Sequence, residues 1–173
     1  MKRPDLEHVL RAAAAITGEA EFVVVGSTAI LAQFPNAPAG LVMSQEADLY
    51  PVSHPELGDL IEGTIGRDSP FHGTFGYYAD AVGPETAKLP RDWRSRAIRL
   101  AGPATGGATA WCPEVHDLAA AKLVAGREKD VDWVRGAVAA GLVAPARLIG
   151  LLDDVQAEPA LIEAARRRAS TLG

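Results

Sequence analysis

The chain has 173 residues, 48% of them hydrophobic, and a mean hydropathy of +0.05, which suits one domain with its own core or a domain with a small helical appendage. No stretch approaches the roughly 18 apolar residues of a membrane span, and the single cysteine, Cys112, leaves no internal disulfide and fits a reducing compartment. The net charge of −5 is uneven, −7 over residues 1–90 and +2 over residues 91–173; its acidic sign argues against broad coating of nucleic acid but leaves room for a small basic cleft.

Met1-Lys2-Arg3-Pro4-Asp5 leads into an amphipathic pattern instead of an apolar leader, so a cytoplasmic protein with no membrane partner is expected. Leu6, Val9, Leu10, Ala13 and Ile16 recur at helical spacing, and Gly18 is a natural terminator. Phe22–Val25 is short, β-branched and continuously apolar, which predicts a buried strand. Ser27 to about Gln33 reads as helix with Ser27 as N-cap, and residues 35–40 as a Pro/Gly loop. A second strand is expected over about 46–52 and a helix over about 55–65. Residues 66–73 read as a polar loop, residues 74–82 as an aromatic third strand, and a short strand is expected near 97–100. From Pro113 onward the pattern is helical, broken at Gly141 and near Pro159, with Pro145 and Pro159 at first-turn positions. The fold class expected is α+β: a mixed-sheet core over residues 1–110, then a carboxy-terminal helical bundle over residues 111–173 packed on it.

Three groups of residues carry chemistry. Glu46-Ala47-Asp48 on a strand points two carboxylates the same way, and such a pair repels unless a cation or a proton lies between. Oxygen donors of this kind suit Mg2+ with substrate phosphates, although a strand with one solvated face would show the same pattern. Asp80, two residues after Tyr78, could complete a metal trio or simply end a strand at the surface. Gly26-Ser27 closes the apolar strand and could present backbone N–H groups to phosphate, or form an ordinary turn. Lys122 stands among alanine and leucine, where an unpaired ammonium is costly. With helix running on through Gly126, Lys122 and Lys129 would share a face. Arg127 and Lys129 are further phosphate candidates, and Asp130 a salt-bridge partner that positions them.

Other chemistries find no support. No Gly-Lys-Ser/Thr loop and no Gly-x-Gly-x-x-Gly follows the first strand, which removes the P-loop and the dinucleotide fingerprint. The four histidines lack metal-ligand spacing, and His72 is at most a substrate contact. Arg166-Arg167-Arg168 reads as a solvated helix end.

Taken in order, Val25-Gly26-Ser27, Glu46-Ala47-Asp48-Leu49, and Leu118–Lys122 followed by Arg127-Glu128-Lys129-Asp130 resemble the nucleotidyltransferase superfamily. The likeness spans most of residues 20–135 and is nearest to small bacterial members of unknown function, distantly similar to AbiEii-type abortive-infection toxins. The resemblance implies transfer of a nucleoside monophosphate from a nucleoside triphosphate to a hydroxyl of RNA or protein, possible toxin activity and a possible antitoxin partner. It implies Glu46, Asp48 and Lys122 as catalytic residues, with Mg2+ on Glu46, Asp48 and Asp80. Gly26, Ser27, Lys122, Arg127 and Lys129 would hold the triphosphate. The long Ser27–Glu46 interval, the glutamate in first place and the lack of a basic residue after Ser27 depart from the family pattern. They leave open a silent relative that binds a nucleotide or partner without chemistry.

Overall fold

The structure, a computed structural model, describes residues 1–172. Helix α1 (Arg3–Thr17) turns Leu6, Val9, Leu10 and Ala13 inward and stops at Gly18, whose left-handed backbone returns its N–H to Ala14. Strand β1 (Glu21–Val25) follows, and its last four residues are all buried. A single 3-10 turn over Ser27–Ala29 feeds the short helix α2 (Ile30–Gln33). The expected N-cap at Ser27 is not formed: Gly26 occupies the cap position and the Ser27 hydroxyl turns elsewhere.

Strand β2 (Glu46–Pro51) alternates, with Ala47, Leu49 and Pro51 buried and Glu46, Asp48 and Tyr50 on the half-exposed face. Helix α3 (Gly58–Ile65) comes next, close to expectation. Residues 66–73 are not all loop. Ser69 accepts a hydrogen bond from the His72 N–H and Pro70 occupies the first turn, so helix α4 (Pro70–Phe75) forms and ends at left-handed Gly76. Consequently β3 (Tyr78–Ala81) covers only the second half of the aromatic run expected to be strand. A short helix α5 (Trp93–Arg96) and strand β4 (Ile98–Ala101) precede a strand the sequence reading missed, β5 (Thr109–Cys112).

The five strands form one mixed sheet in the order β3-β2-β1-β5-β4. β1 is central, antiparallel to β2 and parallel to β5, which accounts for its unbroken apolar run. Four helices complete the chain: α6 (Val115–Ala125), α7 (Glu128–Ala139), α8 (Pro145–Leu151) and α9 (Pro159–Ala169). Helix α6 is buried from Val115 to Val124 and packs against α7, α8 and α9. One continuous apolar cluster runs from Leu6 through Val24 and Leu49 to Leu123, Leu148 and Ala169, so sheet and final helices share a core. The expected boundary at 110/111 falls within β5.

The helix expected to continue through Gly126 does not. Gly126 is left-handed and closes α6, returning its N–H to Lys122, and α7 starts afresh at Glu128. The basic run 166–168 is also not merely solvated. Arg166 pairs with Asp153 and Arg167 with Glu163, but Arg168 donates to the Leu123 carbonyl at 2.9 Å, satisfying the end of α6. No helix among the described residues is long and apolar enough to cross a membrane.

Candidate active site

Alternation along β2 puts Glu46 and Asp48 on one face, and the parallel register of β3 sets Asp80 directly beside Asp48. Three carboxylates thus line one side of a cavity from two paired strands. Burial, then the charges of Glu46 and Asp80, push the Asp48 carboxyl up to about 7, against the pull of Lys122 and Lys129. Asp80 is also raised, by burial and then by Glu62 and Glu46, while hydrogen bonding to Asp48 acts the other way. Both carboxyls therefore hold a proton more tightly than a free aspartate does. Glu46 has partners of its own: its Oε2 accepts from the Tyr78 hydroxyl at 2.8 Å and from Arg67 at 3.3 Å.

The Gly-Ser turn abuts this group because Val25 is the register partner of Asp48. Gly26 has φ +68°, and a Cβ there would overlap Asp48 Oδ2. Its glycine therefore does two jobs, supplying a left-handed turn and giving the carboxylate room against the backbone.

From the other side come α6 and α7. Lys122, with 7% of its surface exposed, donates from Nζ to Ser27 Oγ at 3.0 Å and to Asp130 Oδ1 at 3.1 Å. The ammonium also lies 5.0 Å from the centre of the Trp133 ring. Arg127 Nε donates to the other Asp130 oxygen at 2.6 Å, so Asp130, almost fully buried, holds both cations. Burial would raise the Asp130 carboxyl, but hydrogen bonds from Arg127 and Lys122 outweigh it and hold the group below the ordinary aspartate value. For Lys122 burial prevails over Asp130 and Asp48, and its ammonium is more acidic than a free lysine's.

All nine residues singled out from sequence line one cavity of about 890 Å3. Glu46, Asp48 and Asp80 form its acidic end, Gly26 and Ser27 its floor, and Lys122, Arg127, Lys129 and Asp130 the facing wall. Lys122 and Lys129 reach it from two helices, not from one helix face as expected. His72 is not a lining residue; its ring packs on Tyr78, 4.6 Å between centres, and supports the donor to Glu46 from behind. Sequence reasoning missed Tyr78, Arg67 and Trp133, whose roles depend on contacts between distant elements. It also missed the outer wall, where Pro38, Leu41 and Met43 face Asp132 and Gly136 of α7.

The donor set fits a hard divalent cation: carboxylate oxygens only, with Asp48 and Asp80 side by side on paired strands. Among the described residues, no three His, Cys, Asp or Glu side chains are gathered tightly enough to form a ready-made metal cluster.

A Gly-Ser turn after a central strand, paired carboxylates on its neighbour and a buried lysine opposite them thus line one cavity. The family model described as "Nucleotidyltransferase of unknown function (DUF6036)" matches residues 5–167, and the chain belongs to that family. No curated protein and no solved structure matches it.

Proposed function

We propose that the cavity binds a nucleoside triphosphate with Mg2+ and transfers its nucleoside monophosphate to a hydroxyl, releasing pyrophosphate. The observation that carries this reading is the opposition, across the Gly26-Ser27 turn, of three carboxylates and a paired lysine and arginine within one cavity. Mg2+ held by Glu46, Asp48 and Asp80 would neutralise the triphosphate and stabilise the attacking and leaving oxygens. Gly26 and Ser27 hold phosphate oxygens through a backbone N–H and a hydroxyl. Lys122, Arg127 and Lys129 balance the charge of the leaving pyrophosphate, while Asp130 fixes the first two. In this reading the chain through β5 is a nucleotidyltransferase-like core, two residues longer than the expected 1–110, and α6 to α9 are a helical region packed on it, in a cytoplasmic protein. A toxin role, an antitoxin partner and kinship to AbiEii-type proteins rest on the sequence resemblance alone.

A second reading is favoured by one contact: Glu46 Oε2 is already held by Arg67 and Tyr78. A silent relative would keep nucleotide binding and use Arg67 in place of a metal. The test is incubation with labelled nucleoside triphosphates, Mg2+, RNA and protein acceptors, with Glu46→Ala and Asp48→Ala alongside. Metal-dependent transfer lost in both variants supports the enzyme. Nucleotide binding that survives both substitutions, without transfer by the parent protein, supports the silent module.

A further inference from the structure

A second cavity, of about 250 Å3, opens beside the first. Both are bounded by Gly26, Asp48, Thr86, Lys122, Arg127 and Asp130, so the two chambers meet along a common seam at the reacting groups. Away from the seam they diverge. The larger runs along α7 and the loop at 38–44, and the smaller runs along α6 to α9. Its walls there are apolar: Val25, Leu118, Ala121 and Val124, with the exposed Leu161 of α9 at its lip.

We infer that the smaller chamber is the acceptor subsite, and that it takes a phenolic hydroxyl of the tyrosine side-chain kind, not the end of an RNA. The inference rests on the nucleotidyltransferase reading of the larger cavity. In-line displacement needs the acceptor on the side of the α-phosphorus opposite the leaving pyrophosphate. Two chambers joined at Asp48 and Lys122 supply those two sides. The acceptor oxygen forms a bond to the α-phosphorus as the bond from that phosphorus to the bridging β-phosphate oxygen breaks. Pyrophosphate departs, and the hydroxyl proton passes to water.

The lining decides the class of acceptor. At about 250 Å3 the chamber is smaller than the roughly 300–1,000 Å3 of pockets that enclose whole drug- or cofactor-sized ligands. An apolar wall ending at a charged seam matches an apolar body with a polar tip, as in a phenol. RNA ends are gripped by stacking aromatics and a basic groove. Among the described residues no aromatic side chain lines this chamber, and beyond the cations of the seam the one basic residue there is Lys88.

The experiment uses the full chain with Mg2+ and each α-labelled nucleoside triphosphate, offering N-acetyl-tyrosinamide, a tyrosine-containing peptide or a single-stranded RNA oligonucleotide. Nucleotide affinity is titrated in parallel. Label is expected on the tyrosine compounds at least about tenfold faster than on RNA. Transfer to the amide and peptide alike indicates a free small-molecule acceptor, and transfer to the peptide alone a protein side chain; both support the subsite. Ala125→Phe fills the chamber from an exposed helix end, and Leu161→Asp makes its lip polar. Each should cut transfer about tenfold or more while nucleotide affinity stays within about twofold. Label on RNA alone, undiminished transfer in both variants, or bound nucleotide with no acceptor labelled overturns the inference and leaves nucleotide binding standing. Absence of nucleotide binding overturns the reading of the larger cavity as well.

Discussion

Helix α6 carries two clusters of buried charge, one at each end, and they are built on opposite principles. At its start, Asp117 is fully buried and receives two hydrogen bonds from Arg96, at 2.6 and 3.0 Å. Glu114 accepts from Gln33, His116 and Arg147, and His116 Nε2 in turn accepts the Ala144 N–H at 2.9 Å. Every charge there has a partner, and the network ties α2, α5, α6 and α8 together. At the other end, Lys122 and Arg127 are matched by Asp130, yet Asp48 and Asp80 lie side by side, and the nearby cations do not offset burial and mutual repulsion. Charge matched within the protein holds the fold; charge left unmatched leaves work for a ligand.

The largest difference should appear when one partner is removed from each cluster. Arg96→Ala leaves the Asp117 carboxylate buried and unpaired, and should cost about 3–5 kcal/mol of folding stability in denaturant titration. Asp48→Asn removes a repelling charge from a half-exposed position, so the metal-free protein should be as stable as the parent or more so. Under the nucleotidyltransferase reading the same substitution should lower Mg2+-dependent transfer by about 10²–10³-fold. A destabilising Asp48→Asn would show that its carboxylate serves the fold, and the comparison would fail.

Stability against pH gives the next effect. Asp48 goes from an ordinary 3.8 to about 7 on folding, so the folded chain binds this proton more tightly than the unfolded one. Its contribution is complete below about pH 4, declines as pH rises and is lost by about pH 7; Asp80, shifted the same way, adds to the decline. Thermal melts of the metal-free protein should therefore fall across this window, and Asp48→Asn should flatten the slope. Mg2+ added above pH 7 should raise the parent's melting temperature and leave that of Asp48→Asn unchanged. A parent curve flat from pH 4 to 7 would mean that folding does not raise the proton affinity of these carboxylates.

The sequence disclosed the site better than the frame around it. Glu46-x-Asp48 needs only strand alternation to be read, and Lys122 among alanines announces a buried cation that must find a partner. Gly26 was expected to let phosphate approach the backbone; the space it leaves is filled by Asp48 Oδ2, a contact fixed by the β1–β2 register. Strand β5 escaped notice because four residues, Thr109-Ala110-Trp111-Cys112, carry no period of their own and become strand by pairing with β1 and β4. Helix α4 did carry a signal, Ser69 before Pro70, which an aromatic run extending to Val82 concealed. The break at Gly126 turns on one left-handed residue that helical periodicity cannot register.

The smallest effect expected is at Ser27, which stands between the two kinds of charge. Its hydroxyl accepts one of the Lys122 ammonium protons, and Asp130 accepts another. Ser27→Ala removes a neutral acceptor from a cation that keeps its principal counter-charge. The loss should be about 1.5 kcal/mol, the lower end for a hydrogen bond to a charged group, because Asp130 keeps the ammonium paired. In a chain of this size that lowers the melting temperature by only a few degrees, about 2–4 °C for each kcal/mol. Nucleotide affinity should weaken by less than about tenfold, since Lys122, Arg127 and the backbone of the turn remain. Isothermal titration with a nucleoside triphosphate and Mg2+ would measure it. A loss as deep as that in Lys122→Met would make Ser27 the organiser of the cationic wall, and Asp130 would lose the priority its two hydrogen bonds give it.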